Sequence, residues 1–366
     1  MKNNKRCIGF LLGAASNEGG IARVTSIIAE QLENLSNYEI HIISYVNTNN
    51  EGYGWSSDLT FHSLFQERKP LKKRIINGAY KLNKLIKHNQ IDVLVSCGAL
   101  FGPLGLLGTF FSDTKHVYWD HSNFFQDTDH NFERQGKRIT AKFADVVVPL
   151  TKTDKINYEK FSKAKKVSQI YNPVDANLFN QEIVYKSSSK KIISVGRLGK
   201  QKNFLGLVDV AKIVLGERPE WEWHIFGKGE QEEQIQEKIN KFNLNENLFL
   251  KGHHSNLYEA YNEYSLLVMT SEYEGFPMSL LEGMAKCLPL VSYDIATGPN
   301  EIIKKEENGY LIDFENKEEM ANRIISLLDD SSTRIKMSKN QKSIVNNFKL
   351  EQIVGQWDSL FSNLIG

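Results

Sequence analysis

A chain of 366 residues is longer than one ordinary hydrophobic core and divides into about two domains of roughly 150–190 residues each. Its 41% hydrophobic and 24% charged residues exclude a disordered or fibrous chain. The net charge of +1 hides an asymmetry: residues 1–170 carry 23 Lys/Arg against 16 Asp/Glu, and residues 171–366 carry 22 against 28, so the two halves are expected to meet different partners.

Residues 7–12 predict a first strand, followed by a glycine-containing loop and a helix over 20–35. A strand follows at 40–46. Residues 71–88 predict one helix. At 100° per residue Leu71, Ile75, Ala79, Leu82, Leu85 and Ile86 share one face, and Lys73, Arg74, Lys81, Lys84 and Lys87 share most of the other. Lys72 belongs to the same basic run, which begins at Arg68 and meets no acid between Glu67 and Asp92. Further strands are expected at 91–97, 115–119, 145–149 and 167–171, with helical stretches between most of them. Strands bounded by helices mean βαβ units and a parallel sheet buried on both faces.

A second series has strands at 192–195, 223–226, 248–251, 266–269, 290–293 and 309–312, again with helices between. The stretch 175–190 is polar and poor in apolar residues, as a linker is. The architecture read from this pattern is α/β: two doubly wound, Rossmann-like domains facing across a cleft. The expected bounds are 1–175 and 191–345, with a linker at 176–190. Residues 346–366 are expected to form a C-terminal helix packing back on the first domain.

Three cysteines, Cys7, Cys97 and Cys287, are far apart and set among apolar residues. They predict neither a disulfide framework nor a Cys-ligated metal site, and a reducing compartment fits them best. No apolar run reaches about 18 residues, so no membrane-spanning helix is expected. The apolar stretch after residue 6 is too short for a signal peptide. A soluble cytosolic protein is the expectation.

In doubly wound sheets ligands bind beyond the carboxyl ends of strands, so the chemistry is sought in the loops there. The first loop, Gly13 to Gly20, ends in Gly19-Gly20 before a helix. It is either a plain turn or a place where backbone amides approach an anion; it lacks the dinucleotide fingerprint G-x-G-x-x-G. The second, Val195 to Asn203, holds Gly196, Arg197 and Lys202 before a helix. It reads equally as a solvated basic turn or as a diphosphate cradle. No Walker A loop is present.

The third loop, Ser271 to Ala285, is the most informative. Pro277 suits the first position of a helix. Glu274 then precedes that helix, Glu282 lies about a turn and a half inside on the cleft side, and free amides near Met278, Ser279 and Leu280 point the same way. A carboxylate there suits paired sugar hydroxyls; the plainer alternative is a capping acid and an exposed helical glutamate. Trp119-Asp120-His121 ends a strand of the first domain, and His121 is either an unremarkable loop histidine or a partner for a sugar or phosphate oxygen. Asp127-Thr128-Asp129 has D-x-D spacing but no strand before it, and His253-His254 has no third ligand nearby, so no metal site is expected. The basic helix is either a solvated surface helix or a contact for anionic lipid headgroups. Nucleic acid fits less well, because the net charge is near zero and no recognition motif appears.

In this order the loops resemble the retaining glycosyltransferases of family 4, which have the GT-B fold. The resemblance is most specific at Glu274 and Glu282, two glutamates separated by seven residues. It continues through Ala285-Lys286-Cys287-Leu288-Pro289 and Thr297-Gly298-Pro299-Asn300-Glu301. Val195-Gly196-Arg197 with Lys202, Asn172-Pro173-Val174-Asp175 with Phe179, and Gly19-Gly20 fit as well.

What the resemblance implies can be placed residue by residue. Glu282 would hold the ribose hydroxyls, with Gly196 and Leu280 beside the nucleotide. Arg197 and Lys202 would neutralise the diphosphate. Glu274 and the backbone at Phe276, Pro277, Met278 and Ser279 would hold the donor sugar. Gly19 and Gly20 would admit the phosphates, and His121 would touch the transferred sugar. The family often has glycine near Phe276-Pro277, and Pro277 removes one amide donor.

The activity implied is transfer of a hexose or N-acetylhexosamine from a nucleotide sugar, most often UDP-linked, without metal or other cofactor. The acceptor implied is a lipid-linked saccharide on undecaprenyl diphosphate, in bacterial capsule, exopolysaccharide or lipopolysaccharide synthesis. The enzyme would sit at the inner face of the membrane, with Lys72, Lys73, Arg74, Lys81 and Lys84 toward anionic lipid. The alternatives are a soluble glucan or small-molecule acceptor, a sugar-nucleotide 2-epimerase of the same fold, and a binding partner without turnover.

Overall fold

A computed structural model describes residues 5–16, 19–46, 55–67, 69–126, 131–179, 185–254 and 257–366. Part of the first loop (Asn17 and Glu18), Arg68, and Asp127 and Asp129 of the D-x-D stretch lie outside the described residues. The chain forms two compact units, residues 1–173 with 350–366, and residues 174–349.

In the first unit the order is β1 (Arg6–Leu12), α1 (Gly20–Asn34), β2 (Tyr38–Val46), β3 (Thr60–Phe65), α2 (Ile75–His88), β4 (Val93–Cys97) and α3 (Gly102–Thr109). There follow β5 (Lys115–Asp120), α4 (Asn131–Phe143), β6 (Val146–Pro149) and α5 (Lys152–Phe161). Among the described residues these strands make one sheet in the order β3-β2-β1-β4-β5-β6, parallel throughout.

The second unit runs β7 (Lys191–Val195), α6 (Phe204–Glu217), β8 (Glu222–Phe226), α7 (Glu232–Lys241), β9 (Leu248–Leu250), β10 (Leu266–Met269) and α8 (Met278–Ala285). It continues with β11 (Leu290–Asp294), α9 (Pro299–Ile302), β12 (Gly309–Asp313), α10 (Lys317–Asp329) and α11 (Ser331–Ile344). Its sheet, β12-β11-β10-β7-β8-β9, is also parallel. The final helix, α12 (Leu350–Ile365), belongs to the first unit. Trp357 of that helix sets its ring against Trp119 at 4.9 Å, and the Tyr38 hydroxyl donates to Asp358 Oδ1 at 2.6 Å.

The strands are apolar because helices cover both faces. Every residue of β4, β6 and β10 is buried. One core of the first unit gathers Leu11, Ile43, Leu82, Leu94 and Leu104; that of the second gathers Ile192, Val208, Trp223, Val268 and Val291. Each such side chain contributes roughly 1.5–3 kcal/mol on burial.

Some of the expected elements change. The stretch 167–171 is extended beside β6 but makes only one bridge, Val147 to Val167, so it is not a strand of the sheet. Residues 60–65 are an unforeseen strand, whose first four residues are not buried. The helix expected over 71–88 is broken at Arg74, whose φ of −126° and ψ of 5° separate a 3-10 turn, Leu71–Lys73, from α2. The polar stretch read as a linker is, in its described part, fastened to the second unit: the Tyr185 hydroxyl donates to Ser265 O and the Ser189 hydroxyl to Glu263 O.

Strand order reverses between β1 and β4 in one sheet and between β7 and β10 in the other. Such switch points open a crevice at the carboxyl ends of the strands. The loops after β7 and β10 are the ones that hold Arg197, Lys202 and Glu274; the loop after β1 ends at Gly19 and Gly20.

Candidate active site

In the second unit the loop after β7 folds back as a 3-10 turn, Lys200–Lys202, and ends at Asn203 in the left-handed region (φ 50°). Asn203 caps α6, its Oδ1 accepting from Gly206 N at 3.1 Å. Lys202 is thereby turned toward the loop after β10. Its Nζ lies 2.5 Å from Glu274 Oε1, with side chains only 18% and 8% exposed. The stem of Lys202 runs over Gly196: a Cβ on that glycine would fall 3.0 Å from Lys202 Cε. Further bonds tie the two loops together. Gln201 Nε2 donates to Tyr273 O at 3.0 Å, Glu272 N donates to Gln201 O at 2.8 Å, and the Thr270 hydroxyl donates to Lys202 O at 3.1 Å.

Arg197 behaves differently. It is exposed and its Nη2 meets Glu230 Oε2 at 3.0 Å. The structure thus gives the two cations separate partners instead of pairing them across one turn. An exposed ion pair is weak and exchanges partners easily, so the guanidinium remains open to a phosphate. Glu230 follows Gly227-Lys228-Gly229, which the sequence reading passed over. Gly196 N donates to Phe226 O at 2.9 Å and Leu198 N to Lys228 O at 3.0 Å. A Cβ on Gly227 (φ 150°) would fall 1.8 Å from Gly196 O, so glycine there is required by backbone-to-backbone contact.

The helix after β10 starts one residue later than expected. Pro277 is its cap, with extended ψ of 113°, and the Pro277 carbonyl accepts from Leu280 N at 3.2 Å. The Leu280 amide is thus taken up at the start of the helix, and its side chain is wholly buried. The amides that open α8 are those of Met278 and Ser279. Ser279 Oγ is buried without a hydrogen-bond partner. Phe276 is buried against the Phe348 ring at 5.5 Å. Opposite, the Thr297 hydroxyl donates to Glu274 O at 2.6 Å, which sets the height of the loop.

Glu282 is 4% exposed, so it is not the exposed helical glutamate of the plainer alternative. The Tyr261 hydroxyl donates to its Oε2 at 2.6 Å. Tyr261 belongs to the short turn before β10 and had no signal in the sequence. The Tyr258 hydroxyl donates to Asp175, which fastens Asp175 within this unit.

In the first unit His121 follows β5, its ring 4.2 Å from Trp119, with a buried Nε2 that has no partner. Burial pushes its pKa down to about 4, against the opposing pull of Asp120, so the imidazole is neutral near pH 7 and can only share a hydrogen bond. Its loop is built on Asp120, which is fully buried. Lys137 Nζ lies 2.7 Å from Asp120 Oδ2, the Tyr158 hydroxyl donates at 2.6 Å and the Ser122 hydroxyl at 2.7 Å. Burial alone would raise the Asp120 pKa; Lys137 and these hydroxyls hold it below its usual value. Asp120, Lys137 and Tyr158 were not foreseen. Gly19 and Gly20 are exposed, and a Cβ on either would meet nothing within 4 Å, so no packing demands glycine there.

The basic run also divides. Lys81 Nζ bonds Leu64 O at 2.9 Å and Arg74 lies over the Phe65 ring at 4.7 Å, so both are pinned to the end of β3. Lys72, Lys73 and Lys84 are exposed. Among the described residues one group of metal-capable side chains, Cys7, Glu39 and His41, lies within 4.8 Å. It stands on β1 and β2 of the first unit.

Comparison with known sequences agrees with this geometry. Residues 18–178 match the family described as Glycosyltransferase Family 4, and residues 176–344 match that described as Glycosyl transferases group 1. The amylovoran biosynthesis glycosyltransferase AmsD of Erwinia amylovora is 27% identical over 363 residues, covering 96% of this chain and 99% of that protein. A GalNAc-alpha-(1->4)-GalNAc-alpha-(1->3)-diNAcBac-PP-undecaprenol alpha-1,4-N-acetyl-D-galactosaminyltransferase of Campylobacter jejuni is 24% identical over 367 residues, covering 98% of each. Among solved structures, Anabaena HepE in complex with UDP and glucose superposes with a TM-score of 0.80 at 17% identity, covering 98% of this chain and all of that one. The two family matches meet end to end across the two parallel sheets, and the chain belongs to the glycosyltransferases of family 4 and group 1, with the GT-B fold.

Proposed function

We propose that this glycosyltransferase moves a hexose or N-acetylhexosamine from a UDP-sugar to a lipid-linked saccharide, with retention of anomeric configuration and without a metal. The observation that carries the reading is the Lys202–Glu274 pair at the switch point of the second sheet, in the loop that leads into α8.

In this reading Lys202 and Arg197 meet the diphosphate, with Gly196 allowing close approach. Glu282, held by Tyr261, takes the ribose hydroxyls. Glu274 and the backbone at Phe276, Met278 and Ser279 hold the donor sugar, while Pro277 fixes the start of α8. Gly19 and Gly20 admit the phosphates on the first unit's side, and neutral His121 shares a hydrogen bond with the transferred sugar.

The bond from the sugar's anomeric carbon to phosphate breaks, and its electron pair stays on the departing diphosphate. Fixed cations and helix amides stabilise that charge. The acceptor hydroxyl attacks from the same face, and its proton passes to a phosphate oxygen. Undecaprenyl diphosphate as carrier, and a role in bacterial surface-polysaccharide synthesis, are supported by the likeness to the Campylobacter and Erwinia glycosyltransferases. UDP as nucleotide is supported by the likeness to HepE. Such an acceptor places the enzyme on the inner face of the membrane.

The test is nucleotide release by the purified chain from a panel of UDP-, GDP- and ADP-sugars, with and without lipid-linked oligosaccharide extract. The reading expects UDP release that depends on the lipid fraction. Isomerisation of one sugar nucleotide, or turnover with soluble glucan alone, would replace it.

A further inference from the structure

We propose that the outward side of the α2–α3–α4 layer is the surface by which the protein sits on an anionic bilayer, with Phe110 and Phe111 as the inserted wedge. This rests on the lipid-linked acceptor reading for its purpose, but its evidence is separate.

Three neighbouring helices form the layer. α3 is the middle one. A Cβ on Gly78 of α2 would fall 3.1 Å from Leu104 of α3, and one on Gly108 of α3 would fall 2.5 Å from Leu82 of α2. On its other side, a Cβ on Gly136 of α4 would fall 2.6 Å from Pro103 of α3. The glycines let the three helices lie close together over one face of the sheet, so their outer sides share one surface.

That surface is unusually apolar for one facing water. Phe110 and Phe111, just past the end of α3, are 70% and 75% exposed, and their rings meet edge to face at 4.9 Å. Ile76 and Tyr80 on α2, Leu107 on α3 and Phe143 on α4 are exposed too. Isolated apolar side chains are ordinary on a surface; several on adjoining helices mark an interaction site.

Charge identifies the occupant. Helix α2 has no acid, and its outer side carries Lys84 and Lys87. Helix α4 adds Arg134, Arg138 and Lys142 against Glu133, while its Lys137 is buried on Asp120. Lys142 lies 5.0 Å from the Phe143 ring and Lys84 5.8 Å from the Tyr80 ring. Large apolar groups among cations that outnumber the two acids, Glu133 and the exposed Asp113, match the boundary between acyl chains and anionic headgroups.

The test is co-sedimentation with phosphatidylcholine vesicles, with and without phosphatidylglycerol. The wild type is expected to partition onto the anionic vesicles and to be released by salt. Phe110→Ser with Phe111→Ser, both exposed and therefore tolerated by the fold, is expected to weaken partition by roughly tenfold or more. Lys84→Glu with Lys87→Glu is expected to weaken it about fivefold or more for each charge removed. Independently, Phe110→Trp is expected to give indole emission quenched by lipids brominated on their acyl chains. Unchanged partition in the Phe110/Phe111 variant, or no quenching, overturns the proposal. So does a concentration-dependent dimer that the same variant abolishes, since a second copy would then cover this face. None of these readouts needs a sugar donor. Failure here with intact transfer would leave the transferase reading standing, and the reverse failure would leave the membrane face standing.

Discussion

Replacing Lys202 by alanine separates what the cation does for the fold from what it does for the reaction. The Glu274 carboxylate is 8% exposed and has Lys202 at 2.5 Å; its next partner, Gln201 Nε2, lies at 3.4 Å. Removing one member of a buried pair leaves an uncompensated charge and costs about 3–5 kcal/mol. In a unit of this size 1 kcal/mol shifts the midpoint by about 2–4 °C, so Lys202→Ala should lower the melting transition by roughly 12 °C. Adding Glu274→Gln removes the orphaned charge, and most of the loss should return. Turnover should not return, because the positive charge that meets the diphosphate is absent from both variants. A loss of roughly a hundredfold to a thousandfold in kcat is expected, the usual effect of removing one group that stabilises transition-state charge. Calorimetry and nucleotide release on the same preparations read the two effects apart. A double variant as unstable as the single would refute the charge argument, and wild-type turnover in Lys202→Ala would refute the assignment of Lys202 to the diphosphate.

Three other perturbations follow from the same geometry. Tyr261→Phe removes a hydrogen bond to the buried Glu282 carboxylate, worth about 1.5–3 kcal/mol; titration calorimetry should show weaker UDP binding with the fold retained, and unchanged affinity would separate Glu282 from the nucleotide. Gly227→Ala forces a Cβ into Gly196 O and should part the loops after β7 and β8, costing about 2 kcal/mol or more and raising the KM for donor; a neutral effect on both would contradict the contact. His116 is buried with its Nε2 2.8 Å from Ser96 Oγ, and burial, opposed by Asp145, pushes its pKa down to about 4. The folded state then resists protonation that the unfolded chain accepts near pH 6.5, so the neutral ring's stability is full above pH 6.5 and declines as pH falls toward 4, by about 3 kcal/mol over that window. His116→Gln should flatten this part of the midpoint-against-pH curve; an unchanged slope would assign the acid sensitivity to other groups.

Much of the architecture was legible because parallel strands buried on both faces are plain apolar runs. Val93, Leu94 and Val95, or Leu266, Leu267 and Val268, need no partner in sequence to be recognised. The strand at 60–65 was missed because it is the edge of its sheet and buries only Leu64 and Phe65, which leaves no alternation to read. The segment 167–171 misled in the opposite sense. It is extended, with Ser168 N donating to Val147 O and Ile170 N to Pro149 O, yet it forms no continuing ladder.

The site divides along the same line. Glu274 and Glu282 were visible because the loop and helix that carry them are contiguous, and Lys202 because it follows a strand within one turn. Tyr261, Glu230 and the Asp120–Lys137–Tyr158 cluster were invisible. Each joins residues from different elements, and no local spacing encodes a contact made only by folding. Of the amides expected to be free at the start of α8, that of Leu280 donates to the Pro277 carbonyl, a bond that depends on where the helix begins.

The central claim is transfer with retention, and the anomeric configuration of the product tests it most directly. Proton NMR of the sugar newly attached by the wild-type chain from an α-linked UDP-sugar should show an α linkage. A β-linked product would contradict the retaining mechanism built on Lys202, Arg197 and the amides of α8, and the absence of any transferred sugar under lipid-supplemented conditions would contradict the proposed donor and acceptor together.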